Sequence, residues 1–247
     1  GKIDGGEVQN LGIENAQILG SDNADYLGGL CGYNSGTITN CYATGSVSGG
    51  YCLGGLCGSN SGTIENCYAA GSVSGGDDAY SLGGLCGMNY GTIENCYATG
   101  SVSGYYGPGG LCGRNYEGTI TNCFWDKEAS GMEESDGGTG LTTAQMQTQS
   151  TFTGSGWDFA GEEANGSDEV WFMTAGEYPE LRWQVQEQGG GTTNNPYQIS
   201  TPDHLEAVNN DLSAHYVLTG DIDLSGRSYD RAVIAPDTDY SYKYGTY

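Results

Sequence analysis

An internal repeat occupies the first half of the 247-residue chain. Copies of one 23-residue string begin at Leu27, Leu53 and Leu82 and read LGGLCGYNSGTITNCYATGSVSG, LGGLCGSNSGTIENCYAAGSVSG and LGGLCGMNYGTIENCYATGSVSG. A shorter copy begins at Pro108, and a degenerate half-copy covers residues 6–18. One asparagine position recurs in steps of 30, 26, 29 and 27 residues, at Asn10, Asn40, Asn66, Asn95 and Asn122. A period near 27 residues indicates one solenoid coil per copy.

The strings within each copy favour short strands over helices. GTITNCYA and GSVSG are bounded by Gly and Asn, and no stretch has helical spacing long enough for a stable helix. The repeat therefore predicts an all-β fold, a parallel β-solenoid with coils of about 27 residues. Equivalent residues should stack about 4.8 Å apart along the axis. The expected core consists of three aliphatic columns: Ile38, Ile64, Ile93, Ile120; Leu30, Leu56, Leu85, Leu111; and Val47, Val73, Val102.

Two asparagine columns accompany the aliphatic ones. One predicted structural ladder consists of Asn40, Asn66, Asn95 and Asn122. The other column, Asn34, Asn60, Asn89 and Asn115, is predicted at a tight corner before a glycine, where asparagine tolerates left-handed geometry and stacked amides can bond one another. Paired glycines such as Gly28-Gly29 are predicted where the backbone needs positive φ or where neighbouring strands crowd. A phosphate-binding role would need a following helix, which the pattern does not predict.

Eight of the nine cysteines form two further structural ladders and leave Cys52 outside them. The ladders are Cys31, Cys57, Cys86, Cys112 and Cys41, Cys67, Cys96, Cys123. A cysteine that alternates with larger apolar residues is typically a small buried hydrophobe. Disulfides within a coil, such as Cys31 to Cys41, are the alternative, because bonds from rung to rung would be strained. Structural zinc is disfavoured, since columns do not converge on a point and His204 and His215 lie outside the repeats.

The residues GGLCG, NxGTIxNCYA and TGSVSG resemble the GLUG motif, from residue 6 to about residue 125. In that family the third position of the Gly-Leu-hydrophobic-Gly core is commonly valine, and this chain has cysteine there. The resemblance implies a right-handed β-helix in long bacterial surface and secreted proteins. These include non-catalytic regions of immunoglobulin A-specific metallopeptidases and haemagglutinin-like adhesins. It transfers no catalytic residue, because the motif contains none.

The domain organisation follows from where the repeat ends. We predict solenoid coils over residues 1–125, an aromatic-rich closing segment over 126–188, a Gly-rich linker over 189–194, and a segment over 195–247 that resembles the beginning of such a β-helix. A short helix is expected over residues 142–149, with Thr142 or Thr143 as N-cap and Met146 facing inward. Another helix should start at Thr201-Pro202, followed by strands in HYVLTG and DIDLSG.

Charge and hydropathy exclude several classes of partner. Seven basic and 31 acidic residues give a formal net charge of -24, which disfavours nucleic acid and anionic lipid. No run approaches the ~18 to 20 apolar residues of a membrane span, so we predict no membrane insertion in this segment. The expected location is extracellular, at a bacterial cell surface, with any signal peptide outside this chain.

Coil length varies at one corner, between GSVSG and the next Gly-Gly, and such an edge is the natural binding surface of a solenoid. The candidate binding residues are Tyr51, Tyr80, Tyr105 and Tyr106, which could stack on glycans or contact host or cell-surface proteins. Carboxylates in the same inserts, Asp22, Asp25, Asp77 and Asp78, could coordinate Ca²⁺ through oxygen ligands. The alternative is that these inserts are ordinary solvated loops, with no metal and no other cofactor.

Three functions follow in order of preference. The first is a non-catalytic structural stalk or fibre subunit that associates head to tail or in tandem units. The second is a carbohydrate- or protein-binding adhesin module. The third, a polysaccharide-degrading enzyme, is disfavoured because Glu65 and Glu94 are equivalent ladder positions and Arg114 has no basic neighbour. The pair Asp221 and Asp223 lacks the remaining ligands of a calcium loop, so we predict structural hydrogen bonding for it. We predict no catalytic residue in the chain.

Overall fold

The computed structural model describes residues 1–21, 24–76, 79–162, 164–185, 193, 196–210, 212–219 and 221–225. The chain forms two compact units, each treated separately below. The first unit comprises Gly1–Asp158 with Met173–Pro179, and the second comprises Phe159–Phe172 with Glu180–Tyr247.

Stacked parallel sheets build the first unit. Sheet 1 contains Lys2–Ile3, Cys31–Asn34, Cys57–Asn60, Cys86–Asn89 and Cys112–Asn115. Sheet 2 contains Glu7–Gln9, Thr37–Thr39, Thr63–Glu65, Thr92–Glu94 and Thr119–Thr121. Sheet 3 contains Gly12–Leu19, Tyr42–Gly49, Tyr68–Ala69, Ser72–Gly75, Tyr97–Ala98, Val102–Ser103, Phe124–Asp126 and Thr139–Leu141. Sheet 4 contains Tyr26–Gly28, Cys52–Gly54 and Leu82–Gly83.

Every copy of the repeat forms one coil, and equivalent residues pair directly across neighbouring coils. Ile64 pairs with Ile38 on one side and Ile93 on the other, and Val73 pairs with Val47 and Val102 in the same way. The half-copy forms the first coil, since Glu7–Gln9 pairs with Thr37–Thr39. The predicted parallel β-solenoid is therefore confirmed.

The aliphatic columns form the core, as predicted. Ile38, Ile64 and Ile93 are completely buried with the Leu56, Leu85 and Leu111 column. The valine column packs in a second cluster with Leu53 and Leu82. Parallel register thus places one side chain of each kind above another, and burial of these columns is the main source of stability.

The left-handed backbone geometry occurs in the other asparagine column from the one for which it was predicted. Asn34, Asn60, Asn89 and Asn115 lie within the strands of sheet 1, so their predicted left-handed geometry is wrong. Their amides do bond one another as expected, with Nδ2 to Oδ1 distances of 2.8, 2.9 and 2.9 Å. The left-handed residues are Asn10, Asn40, Asn66, Asn95 and Asn122, with φ between 50° and 53°.

The reason is the position of each asparagine relative to a corner. Asn40 follows the sheet 2 strand and precedes sheet 3, so one residue must turn the chain there, and asparagine visits the left-handed region at low cost. Asn34 has its side chain inside, where Oδ1 accepts from the backbone N–H of Gly36. A buried amide must be paired, and the neighbouring coil supplies the partner.

Crowding explains the paired glycines. A Cβ on Gly28 would lie 2.3 Å from the carbonyl oxygen of Cys31, and one on Gly29 would lie 2.5 Å from the carbonyl oxygen of Gly55. Neither residue has a left-handed φ. Of the two predicted reasons for Gly-Gly, the close approach of strands is correct and the positive φ is wrong.

A tryptophan closes the far end of the core in the first unit. The small column Ala43, Ala69 and Ala98 ends at Trp125, which pairs in register with Ala98. Its indole N–H donates to the carbonyl of Met132 at 3.1 Å. Next to it, Phe124, Phe152 and Trp157 cover the stacked ring of Tyr97.

Within residues 126–158 the closing region contains three short helices, where the sequence predicts one. They span Lys127–Ser130, Thr143–Met146 and Gln149–Thr153. Thr142 is the N-cap, in a capping box with Gln145, and Met146 is completely buried, as predicted. The single helix over residues 142–149 is wrong, because Thr148 is extended and serves as the N-cap residue of the next helix.

The second unit contains two small sheets and two α-helices among its described residues. Trp171–Phe172 pairs antiparallel with Glu180–Leu181, and Tyr197–Ile199 pairs parallel with Tyr216–Leu218. The helices are Arg182–Val185 and Pro202–Ala207, the latter followed by the 3-10 turn Val208–Asn210.

Two of the three predictions for this unit are confirmed. Thr201 is the N-cap of the helix that starts at Pro202, and HYVLTG contains a strand. The strand in DIDLSG is wrong over its described residues, because Asp223 accepts from the backbone N–H of Ser225 and closes a local turn. None of the helices that the structure describes has the length and apolar character of a membrane span.

Candidate binding face

The variable corner places four residues in one column along the solenoid. Sheet 4 pairs Tyr26 with Cys52 and Leu53 with Leu82, and a bridge between Gly83 and Gly109 carries the same register to the fourth coil. Equivalent positions are therefore occupied by Tyr26, Cys52, Ser81 and Gly107. The preceding residues form what we call the corner column: Asp25, Tyr51, Tyr80 and Tyr106. Tyr80 and Tyr106 are joined by a parallel backbone bridge. The sequence analysis grouped these three tyrosines with Tyr105, and the structure brings them together.

The rings of this corner contact one another. The ring centroids of Tyr51 and Tyr80 are 5.1 Å apart, and those of Tyr105 and Tyr106 are 5.0 Å apart in an edge-to-face arrangement. Tyr105 is 77% exposed and Tyr80 is 43% exposed. Both rings therefore present a large aromatic surface to solvent.

A second column lies where the sheet 1 strands end. We call it the strand-end column: Ser35, Ser61, Tyr90 and Tyr116. The rings of Tyr90 and Tyr116 are stacked with centroids 5.1 Å apart, and both are more than 40% exposed.

The outward side chains of sheet 1 connect these columns. We call them the floor column: Tyr33, Ser59, Met88 and Arg114. The Tyr33 hydroxyl is 3.1 Å from Ser61 Oγ, and the thiol of Cys52 is 2.9 Å from Met88 Sδ. The corner, floor and strand-end columns together are the tyrosine face.

The pKa values of several groups at the face are shifted because these side chains are partly buried and lie close together. The pKa of the Tyr80 hydroxyl is raised. The largest cause is partial burial, and smaller contributions come from the nearby Cys52, Tyr26, Tyr51 and Asp25. The pKa of Tyr90 is raised in the same way, first by partial burial and then by Tyr116, Tyr26 and Cys52. Burial and then Asp25 raise the pKa of Cys52 to about 11. At neutral pH the hydroxyls of Tyr80 and Tyr90 are therefore protonated.

Comparison with known proteins finds a family whose repeat matches three of the coils. The family described as "The GLUG motif" matches residues 23–48, 49–74 and 78–103. These coils are GLUG repeats. The chain is 36% identical over 75 residues to a protein of Evansella cellulosilytica provisionally named as a Gly-rich membrane protein. The match covers 29% of this chain and 8% of that relative. No solved structure gives a significant match.

All nine cysteines, seven of which lie in the matched coils, are unpaired and buried. The thiols of Cys41, Cys67, Cys96 and Cys123 each donate to the carbonyl two residues earlier, at 3.0–3.1 Å. Burial raises the pKa of Cys96 well above its ordinary value, which keeps the thiol protonated. Of the alternatives that the sequence left open, the small buried apolar role is the one that the structure shows.

The GLUG coils bring no group of three or more His, Cys, Asp or Glu side chains into metal-binding distance, within the ranges that the structure describes. Asp22, Asp77 and Asp78 lie outside the described residues, whereas Asp25 begins the corner column. Glu65 and Glu94 pair in register on adjacent strands, so their side chains lie side by side rather than facing each other across a substrate.

The sequence analysis missed four tyrosines of this region. Tyr26 and Tyr33 contact edge to face at 6.4 Å, and Tyr90 and Tyr116 stack beside them. A usable signal was available, because Tyr90 and Tyr116 each follow a corner tyrosine by ten residues. The Gly-Gly turn between them reverses the chain, which returns the second tyrosine to the same side.

Proposed function

We propose that the chain is a non-catalytic, extracellular structural module of a bacterial surface protein, in which the GLUG coils form a stalk. The observation that carries this proposal is the in-register core, in which each side-chain column continues from coil to coil. Such a repeat gives length in small fixed steps, since each coil contacts mainly its neighbours.

The hydrogen-bonded columns give this stalk stiffness. Asn34, Asn60, Asn89 and Asn115 form a chain of buried amides that cross-links four consecutive coils. Bending would lengthen these bonds, and a buried amide without a partner costs about 1–3 kcal/mol. The acidic composition adds solubility outside the cell.

The proposal includes association head to tail or in tandem units. The first coil presents strand edges at Lys2–Ile3, Glu7–Gln9 and Gly12–Leu19, on the side away from the second coil. A further coil, from the same polypeptide or from another copy, would pair with these edges. Leu19, which is 79% exposed, lies on this coil and would be covered by it.

Negative-stain electron microscopy of the intact chain over a concentration series tests the association. We expect filaments that lengthen with concentration, and we expect Leu19→Lys to abolish them while a change at another exposed site, Tyr105→Ser, leaves them intact. Separate particles at every concentration would contradict head-to-tail association between copies.

A further inference from the structure

The tyrosine face is built differently from an ordinary solvated corner. The corner and strand-end columns are connected through the floor column. There the Cys52 thiol is 2.9 Å from Met88 Sδ, the rings of Tyr26 and Tyr33 contact edge to face at 6.4 Å, and the Tyr33 hydroxyl is 3.1 Å from Ser61 Oγ. Ser59 and Met88, although they point outward from sheet 1, are only 2% and 9% exposed. Within the floor column, these two side chains are therefore shielded from water by their neighbours.

The face also contains a strained residue. Ser81, which follows Tyr80, has a φ of 58°, in the left-handed region that serine rarely adopts. Gly107, which follows Tyr106, has the same φ at the equivalent position. Residues held in this conformation are concentrated at binding sites. The turn holds two neighbouring tyrosines of the corner column in one orientation.

The chemistry of the face suits a sugar polymer. Tyrosine offers a rigid ring of large area at low entropic cost and a hydroxyl that donates and accepts hydrogen bonds. Sugar rings present C–H groups to the ring and hydroxyl groups to the phenol. The corner column carries a tyrosine in three consecutive coils, about 4.8 Å apart along the axis, so a ligand that uses several of them must itself be periodic.

Charge restricts the ligand further. Residues 1–125 contain only two basic residues, Lys2 and Arg114, in a chain of net charge -24. Asp25 stands at one end of the corner column, and Glu117 follows Tyr116. Long-range repulsion disfavours uronate, sulfate or phosphate polymers.

We infer that the tyrosine face binds an uncharged polysaccharide chain laid along the solenoid axis, with Tyr80 and Tyr90 as the central contacts and the Tyr105–Tyr106 pair extending the site. This activity is separate from the stalk role, because it uses outward side chains that the core columns do not need. It makes the stalk adhesive along its length.

Retention of the intact chain on insoluble cellulose, chitin and curdlan tests the inference, with a polygalacturonate gel as the anionic comparison. We expect retention on at least one neutral polymer. The double variant Tyr80→Ala/Tyr90→Ala should weaken it at least tenfold, and Tyr80→Phe/Tyr90→Phe should weaken it less. The control Thr63→Ala/Glu65→Gln, on the outer face of sheet 2, should bind like the unaltered chain.

A second measurement needs no mutation. Nitration of the unaltered chain, read by mass spectrometry, should show Tyr80, Tyr90 and Tyr105 protected by soluble oligosaccharides of the retained polymer, with Tyr216 of the second unit unchanged. Circular dichroism melting verifies that each variant is folded.

Several results would overturn the inference. They are no retention on any neutral polymer, retention on polygalacturonate alone, and a folded alanine variant that binds like the unaltered chain. A fourth is self-association that the same double variant abolishes, because the face would then be an interface between copies. Filament formation through the first coil is measured separately, so failure of one proposal leaves the other standing.

Discussion

The tyrosines of sheet 3 and those of the tyrosine face follow the same coil register, but the sheet 3 tyrosines are buried and several tyrosines of the face are exposed. Tyr42, Tyr68 and Tyr97 stack with centroids 5.0 Å apart, close to the 5.1 Å of Tyr90 and Tyr116. The sheet 3 tyrosines are less than 8% exposed, and the aromatic closing residues cover Tyr97. Stacking is therefore a consequence of register, whereas the role of each column depends on what lies over it.

The largest expected effect breaks the buried column. Tyr68→Ala should lower the free energy of unfolding by about 3–5 kcal/mol, because it removes a buried ring between two stacked partners. Tyr90→Ala, in the exposed column, should cost less than about 1 kcal/mol. Urea unfolding of both variants measures the difference, and equal losses would contradict the distinction.

The asparagine column sharpens the same comparison for polar side chains. Asn60→Ala should cost about 1–3 kcal/mol, since Asn34 Nδ2 loses its bond to Asn60 Oδ1 and Asn89 Oδ1 loses its bond from Asn60 Nδ2, all inside the core. The exposed neighbour Ser61 is the matched control, and Ser61→Ala should change stability by less than about 0.5 kcal/mol. A cost at Asn60 no greater than that at Ser61 would show that the amide column is not structural.

The other asparagine column differs because its contribution is a backbone conformation. Asn66 has a φ of 50°, so Asn66→Ala should cost about 1–2 kcal/mol, and Asn66→Gly should cost far less because glycine adopts that φ freely. Thermal unfolding distinguishes the two variants. If glycine proved as harmful as alanine, the asparagine side chain would be the important element.

The smallest expected effect concerns Tyr178, which stacks on Tyr97 at the covered end of the buried column. Burial and then a hydrogen bond to Asp126 raise its pKa to about 12. This folded-state pKa lies above the unfolded value of about 10, so the associated stability is complete below pH ~10 and is lost as pH rises through ~12. In Tyr178→Phe, the free energy of unfolding should depend less steeply on pH between about 10 and about 12. The same slope as in the unaltered chain would contradict the raised pKa of Tyr178.

Much of the fold could be predicted from the repeat. The period, the aliphatic columns and the parallel register follow directly from residues such as Ile38, Ile64 and Ile93, because a coil must bury the same face each time. The two asparagine columns were harder to predict, since both Asn34 and Asn40 stand beside glycine-containing or polar turn signals in the sequence. Only the corner geometry shows which one turns the chain and which one lies inside.

The position of the tyrosine face was predicted in part. Tyr51, Tyr80 and Tyr106 share a variable insert, and insertions at one edge of a solenoid are visible in the sequence. Tyr90 and Tyr116 belong to the part of the copy whose length does not vary, so only their ten-residue spacing from a corner tyrosine marks them. That spacing can be interpreted only once the Gly-Gly reversal is known. The closing helices show a similar limit, because an extended Thr148 divides what the spacing suggests as one helix.

The most direct test of the stalk is a change in the number of coils. Residues 53–81 form one complete repeat with its insert, and the chain can carry this unit zero, one or three times. We predict that all three proteins unfold cooperatively in urea and that the maximum dimension from small-angle X-ray scattering rises by about 4.8 Å per added coil. A deletion or insertion that abolishes cooperative unfolding, or a dimension independent of coil number, would contradict the account.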